Sequence, residues 1–117
     1  PDGAILAFET AQRFDPVVNP VRSTLLGLAY YLKRQYDDTI ASLASVVVQN
    51  PDYEFSHVIL AATYGQMGRQ QEAIRASQEV RRLNPFFSVE EFRKRSLFQD
   101  PKNAMRLAEG LRKAGLD

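Results

Sequence analysis

The sequence predicts an all-α fold built from repeated helical hairpins, and two observations predict it. When the chain is shifted by 34 residues, residues 26–30 fall on residues 60–64, and Asn50-Pro51 falls on Asn84-Pro85. Apolar residues also recur at three- and four-residue spacing, which is typical of amphipathic helices. A fixed period of roughly 20–50 residues is typical of stacked repeats, so we expect hairpins that pack one on another.

The length and composition are those of a single soluble domain. The 117 residues carry a net charge of +1, which gives no overall attraction to nucleic acid or to a membrane surface. The sequence has no cysteine, which excludes disulfides and thiol chemistry, and no apolar run approaches the ~20 residues needed to span a bilayer. The sequence begins with Pro1 rather than methionine, so we expect a piece of a longer protein.

The first element in the chain is a predicted helix over residues 3–14, in which Ile5 and Phe8 contribute to an apolar face. Asp15-Pro16 ends it, since proline disfavours helical geometry in the residue before it. Shifted by 35 residues, this segment matches the second helix of the next repeat. Residues 1–16 are therefore interpreted as the second helix of a truncated repeat, and Ile5 and Phe8 are candidates for self-association.

Two complete repeats follow, over residues 17–51 and 52–85. The first has predicted helices over residues 20–33 and 37–49, with Gly27 in the middle of a helix, where we expect its partner helix to approach closely. The second has the same plan, and Met67-Gly68-Arg69 forms its turn. Gly68 suits the left-handed conformation that commonly ends a helix.

The period stops after Pro85, and residues 86–117 are predicted to form capping helices. Ser88 and Glu91 have the spacing of a capping box, and Phe87 and Phe92 that of a hydrophobic staple. Asp100-Pro101 is typical of a helix start. The last helix has one apolar stripe, which consists of Ala104, Leu107, Ala108, Leu111 and Ala114.

Residues 20–85 resemble the tetratricopeptide repeat family, with residues 3–16 as a partial third repeat. The resemblance implies a right-handed superhelical stack of antiparallel helical hairpins, closed here by the C-terminal capping helices. Some positions depart from the family pattern, and we expect looser packing there because the side chains are small or polar. These positions are Ser23, Thr39, His57 and Ser77.

The tail carries a second resemblance. Glu91-Phe92-Arg93, Leu97-Phe98, Asp100-Pro101 and residues 109–116 look like the ends of bacterial class III adenylate/guanylate cyclases with C-terminal tetratricopeptide repeats. Related bacterial transcriptional regulators share this kind of ending. The resemblance implies a cytoplasmic regulatory module attached to a catalytic or DNA-binding domain. No segment of this chain resembles the catalytic part of a cyclase.

The sequence offers no catalytic constellation. His57 is the single histidine and lies at an inward helical position, so we interpret it as a packed residue. The pairs Asp37-Asp38 and Glu90-Glu91 stand at helix starts, where carboxylates favour the positive end of the helix dipole. There is no glycine-rich phosphate loop. We expect a protein that is not an enzyme and that uses neither a cofactor nor a metal.

Residues 81–117 are locally basic, with nine Lys and Arg against five acids, a balance of 9 − 5 = +4. Arg93-Lys94-Arg95 is the densest part. Acids are interspersed and no aromatic residue is displayed for stacking on bases, so a solvated face is favoured over nucleic-acid binding.

The first helix of each repeat lines the concave groove in the family that the chain resembles. Here its outward positions are apolar and lack the lysines and asparagines that clamp an acidic chaperone terminus, so we reject that partner. An apolar groove favours an apolar protein or peptide segment, or cover by neighbouring repeats or a second copy. The predicted partner-binding residues are Val21, Thr24, Leu28, Tyr31, Leu32, Phe55, Val58, Ala62 and Gln66.

The function that these features predict is a non-catalytic protein–protein interaction module, the C-terminal regulatory part of a bacterial cyclase-like signalling protein. The alternative is an oligomerisation or spacer domain, for which a homodimer is the expected state. Weak nucleic-acid binding by the basic cap is a distant third.

Overall fold

A computed structural model describes residues 19–95 and 100–116 of the chain. The described residues form six α-helices and no β-strand, so the fold is all-α as predicted. The predicted helix over residues 3–14, with Ile5 and Phe8, lies outside the described residues. The helices are α1 (Pro20–Leu32), α2 (Tyr36–Gln49), α3 (Glu54–Met67), α4 (Gln70–Leu83), α5 (Val89–Lys94) and α6 (Pro101–Lys113).

The first four helices form two hairpins. Residues 33–35 connect α1 to α2 and residues 68–69 connect α3 to α4, and the two helices of each pair pack along each other. Such short connections make them antiparallel neighbours. A Cβ atom at Gly27 would lie 3.1 Å from Leu43 Cγ, so the predicted close approach of α1 and α2 at this glycine is confirmed.

The repeat in the sequence is also a repeat in the backbone. The two hairpins start at Pro20 and Glu54, and their second helices start at Tyr36 and Gln70, so both starts shift by 34 residues. The turn hydrogen bonds shift in the same way. The equivalent bonds are Gln35 N to Tyr30 O and Arg69 N to Tyr64 O, then Asn50 N to Val46 O and Asn84 N to Val80 O.

The two hairpin turns use the left-handed backbone conformation at equivalent positions. Gly68 has φ 74°, as its type predicts, and ends α3. Arg34 has φ 64° at the corresponding position of the first hairpin. A residue with a Cβ atom is disfavoured there by roughly 1 kcal/mol, so the first turn carries a small strain that the second does not.

The C-terminal elements begin as the sequence predicts. Ser88 Oγ accepts a hydrogen bond from Glu91 N at the start of α5, and the rings of Phe87 and Phe92 lie 5.8 Å apart. Asp100 Oδ1 accepts from Lys102 N at the start of α6, with Pro101 in the first turn. The residues of the predicted apolar stripe of α6 are all buried.

Helix α3 is the centre of the described structure. It contacts α1, α2, α4 and α6, and residues 56–63 are all buried. Such all-round burial is typical of a core helix rather than a surface one. In the described part of the chain, no helix combines the length and the apolar character that crossing a membrane requires.

Candidate functional site

The candidate site is the face that α1 and α3 share, where the sequence predicts a groove. Most of its predicted residues are covered rather than outward. Thr24, Tyr31 and Ala62 are fully buried, and Leu28 and Val58 retain at most 8% of their surface. Leu32, Phe55 and Gln66 are half-buried, and Val21 alone among them is exposed.

Helix α6 covers this face by packing along α3. The two helices cross where each carries a glycine. A Cβ atom at Gly65 would lie 2.3 Å from Gly110 O, and one at Gly110 would lie 2.6 Å from Ala62 O. Neither distance is compatible with a side chain, so this approach of two backbones depends on both glycines.

Polar groups of the groove bind the backbone of α6. The Tyr31 hydroxyl donates to Arg106 O at 2.8 Å, and Gln66 Nε2 donates to the same carbonyl at 3.3 Å. Lys113 Nζ in turn donates to Gln66 Oε1 at 3.0 Å. These bonds join α1, α3 and α6 at one point, so Tyr31 and Gln66 fix the position of α6 along the groove.

Arg106 of α6 binds the C-terminal end of α1. Its Nη1 donates to Leu32 O at 2.7 Å and its Nη2 donates to the Tyr36 hydroxyl at 3.2 Å. The guanidinium carbon lies 5.5 Å from the centre of the Tyr31 ring. The last carbonyls of a helix lack partners within the helix and carry its negative dipole end. A cation at this place therefore donates a hydrogen bond that the helix lacks and also interacts favourably with the negative end of the dipole.

Tyr31 is the most perturbed titratable group of the face. Burial raises the pKa of its phenol to about 12, although the hydrogen bond from Gln66 opposes the shift. The phenol therefore stays neutral at physiological pH and keeps its proton for the Arg106 carbonyl. Its role at this site is to donate a hydrogen bond rather than to transfer a proton.

The sequence predicts outward side chains at these groove positions, and the structure differs because α6 packs over them. The occupants considered from the sequence were a partner segment, neighbouring repeats and a second copy, and the capping helix of the same chain was not among them. The sequence does contain a signal for this close packing of α3 and α6, namely Gly65 and Gly110, which are two glycines inside helices. Nothing local in the sequence joins them, since they lie on different elements and meet only in the tertiary structure.

The edge of the groove has a small aromatic cluster near the start of α3. The rings of Phe55 and Phe92 lie 6.3 Å apart, and Phe92 also contacts Phe87. These distances are those of favourable aromatic pairs. The predicted groove residue Phe55 is thus packed against the C-terminal elements as well.

The residues that were considered as candidates for catalysis are placed as ordinary structural residues. His57 is buried, and its Nε2 lies 2.8 Å from Pro51 O. A carbonyl oxygen accepts only, so Nε2 carries the proton in this contact. Asp37 and Asp38 are exposed in the first turn of α2. Among the described residues, no group of three or more acidic or histidine side chains is placed to hold a metal ion.

Three cations of the basic cap form ion pairs with its own acids. Glu90 binds both Arg93 and Arg112, the latter at 3.2 Å, and these bonds lower the pKa of its carboxyl. Lys113 pairs with Glu109 at 3.1 Å. An open cleft of about 830 Å³ lies between α5 and α6 and is lined by these residues. This pairing reduces the charge that these three cations offer to a phosphate backbone, although the segment keeps its net positive balance.

No protein-family model matches the chain, no curated protein matches it, and no solved structure matches it. The functional argument therefore rests on the groove and on the helix that it holds.

Proposed function

We propose that this chain is a non-catalytic protein–protein interaction module of the tetratricopeptide type, a right-handed superhelical stack of antiparallel hairpins. The 34-residue shift of helix starts and turn hydrogen bonds supports it. One observation carries the functional part of the proposal. The face formed by α1 and α3 receives a helix, with backbones close enough to require glycine on both sides. A surface shaped in this way recognises helical protein segments.

We propose further that the module is the C-terminal regulatory part of a bacterial cyclase-like signalling protein and works in the cytoplasm. The support is the resemblance of the tail, from Glu91-Phe92-Arg93 to residues 109–116. On this proposal the chemistry belongs to another domain of the parent protein. The module contributes binding, and its state of occupancy is what the parent protein reads.

A second candidate function is oligomerisation, and the exposed start of α1 favours it. Val21 and Leu25 are separated by one helical turn and are 50% and 53% exposed. Two large apolar side chains on one side of a helix form a contact surface for a neighbouring element. A second copy of the chain is the candidate for that contact.

The test is site-specific photo-cross-linking in bacterial cells that express the chain. A photoreactive residue replaces Gln66 at the groove, and in a matched control it replaces Val48, which is 79% exposed on α2. We expect a cross-link from position 66 to a second, different protein, and none from position 48. Cross-links to a second copy of the chain would favour oligomerisation. Cross-links within the chain alone would contradict the proposal.

A further inference from the structure

We infer that the cleft between α5 and α6 binds an acidic segment of a partner protein, in which carboxylates flank an apolar residue. The cleft lies on the side of α6 that points away from α3, so binding there leaves the packed helices in place. The inference goes beyond the proposed function, which concerns the face formed by α1 and α3.

The outer side of α6 is a fixed and exposed surface. Lys102, Glu109 and Arg112 are exposed there, and Met105 between them is 60% exposed. Residues three and four apart lie on the same side of a helix, so these four positions form one stripe. It lies opposite the buried apolar stripe that packs α6 into the core. A ligand therefore meets these side chains on a helix that the core already holds in position.

Positive charge is concentrated in this cleft. Its lining includes five cations and two acids, Glu90 and Glu109, a balance of 5 − 2 = +3, whereas the whole chain has a net charge of +1. The rest of the chain therefore has a net charge of 1 − 3 = −2. A cleft lined mainly by one sign of charge focuses the field and attracts ligands of the opposite sign. The five cations are Arg93, Lys102, Arg106, Arg112 and Lys113.

The five cations differ in what they offer to a ligand. Arg106 donates to the carbonyl of Leu32, and Lys113 pairs with Glu109, so these two contribute mainly to the field. Lys102 is exposed, and its ammonium forms no ion pair or hydrogen bond with any described residue. An ammonium has three donors and no internal claim on them here. Lys102 is therefore a direct contact for an incoming carboxylate.

The cleft already holds one carboxylate, which belongs to the chain itself. Glu90 of α5 binds Arg93 on its own helix and Arg112 across the cleft, the latter at 3.2 Å. This bridge directs the two guanidinium groups toward one place. A guanidinium has five N–H donors, and the described bond of Arg112 uses a single nitrogen, Nη2. Arg112 thus keeps donors for a second carboxylate.

The spacing of these contacts defines the partner segment. Lys102 and Arg112 are ten residues apart on α6, which corresponds to about 15 Å along the helix axis. An extended peptide advances about 3.3 Å per residue, so acids about four or five residues apart reach both cations. Met105 lies between them and offers an adaptable apolar contact. The matching segment has an apolar residue between two acidic ends.

The acids of the cleft favour a protein segment over nucleic acid. A nucleic-acid strand carries a charge at every step, so it would bring phosphates against Glu90 and Glu109. A peptide can place carboxylates only where the cations are. Met105 also suits an aliphatic side chain, whereas bases are bound by stacking on aromatic rings.

The experiment titrates the full chain with the peptide Glu-Glu-Leu-Ser-Glu-Glu, blocked at both ends, and follows the backbone amide signals by NMR. The salt concentration is about 0.1 M, at which charges farther away than about 10 Å are largely screened. We expect saturable shifts of α5 and α6 amides at peptide concentrations on the order of millimolar. The same peptide with glutamine in place of glutamate is expected to leave these signals unchanged.

Two substitutions with the same change in net charge test the location. Lys102→Glu puts a like charge in the cleft, and we expect binding about tenfold weaker. Arg81→Glu is the matched control on the exposed last turn of α4, outside the cleft, and is expected to change binding by less than about twofold. Met105→Gln removes the apolar contact and is expected to weaken binding about threefold. If the amide spectrum shows that Lys102→Glu is unfolded, Lys102→Gln replaces it, with an expected loss of about threefold.

Four outcomes would overturn the inference. They are no amide shifts at millimolar peptide, equal binding of the glutamine peptide, equal losses for Lys102→Glu and Arg81→Glu, and tighter binding of a single-stranded DNA through the same amides. The last would show a phosphate-binding surface instead. The titration needs no cellular partner, so it can succeed or fail independently of the cross-linking experiment at position 66.

Discussion

At the scale of single residues, the structure explains the polar side chains that occupy core positions of the two hairpins. The sequence predicts looser packing at Thr39, His57 and Ser77. In the structure these three residues are buried, and each forms a hydrogen bond with a carbonyl oxygen, namely those of Gly27, Pro51 and Ala114. A satisfied polar group is a stable way to fill such a position. Ser77 in particular contacts the end of α6, which sequence reasoning had no means of placing there.

Thr24 differs from Thr39, and the pair provides a test. The Thr24 hydroxyl is buried and has no hydrogen-bond partner among the described residues, whereas Thr39 Oγ1 donates to Gly27 O at 3.1 Å. We expect Thr24→Val to leave stability unchanged or raise it by up to about 1 kcal/mol, and Thr39→Val to lower it by about 1 kcal/mol. Urea unfolding measures both. A destabilisation by Thr24→Val as large as that by Thr39→Val would contradict this assignment.

The two left-handed turn residues form a second matched pair. Arg34→Gly removes a disfavoured conformation, and we expect it to raise the free energy of unfolding by roughly 0.5–1 kcal/mol. Gly68→Ala introduces the same cost at the equivalent position, where no atom lies within 4 Å of the new Cβ, and is expected to lose about 1 kcal/mol. Thermal unfolding followed by circular dichroism compares them. Effects of the same sign would count against a shared turn geometry.

Because of Tyr31, we expect the free energy of unfolding to fall at alkaline pH. Its folded-state pKa of about 12 lies above the unfolded value of about 10, so its contribution is complete below about pH 10 and is lost as the pH rises toward 12. The Tyr31→Phe variant lacks this loss. We expect the stability advantage of the wild type over Tyr31→Phe to shrink by about 1 kcal/mol between about pH 9 and pH 11. Urea unfolding at both values measures it, and a constant difference would show that the phenol is not buried in this way.

At the scale of elements, the sequence predicts those features of the helices that depend on neighbouring residues in the chain. The helix starts follow from caps such as Asp100 and Ser88 and from the 34-residue repeat, and the structure has them within a residue or two of the predicted positions. The burial of the α6 stripe was equally readable from its period. The place where α6 packs could not be predicted from the sequence, because its packing on α3 depends on the fit of Gly65 to Gly110 and on the hydrogen bond from Arg106 to the end of α1.

The glycine crossing predicts an order of effects for three glycine-to-alanine substitutions. Gly65→Ala and Gly110→Ala each place a methyl group against backbone atoms, and we expect losses of about 3 kcal/mol or more. Gly27→Ala meets only a side chain, that of Leu43 at 3.1 Å, rather than backbone atoms, and it gains about 1 kcal/mol of helix propensity. Its net effect is expected to stay within about 1 kcal/mol. Chemical unfolding ranks them, and a Gly65→Ala loss no larger than that of Gly27→Ala would argue against the crossing.

At the scale of the whole molecule, two hairpins present a face that the C-terminal helix fills. Four of the groove residues that the sequence predicts for partner binding are thus part of the buried core, together with Leu107, Leu111 and Leu116; the four are Leu28, Tyr31, Val58 and Ala62. Any partner that uses them must take the place of α6.

The central claim is that α6 occupies the groove of its own chain, and a cross-linking rate tests it most directly. The chain with Gln66→Cys and Lys113→Cys is treated with a short bifunctional thiol reagent at low concentration. The control combines Gln66→Cys with Val48→Cys, positions separated by about the 20 Å length of α3. The account predicts fast joining within the monomer for the first pair alone, at a rate independent of protein concentration. Absence of that product, or equal rates for the two pairs, would contradict it.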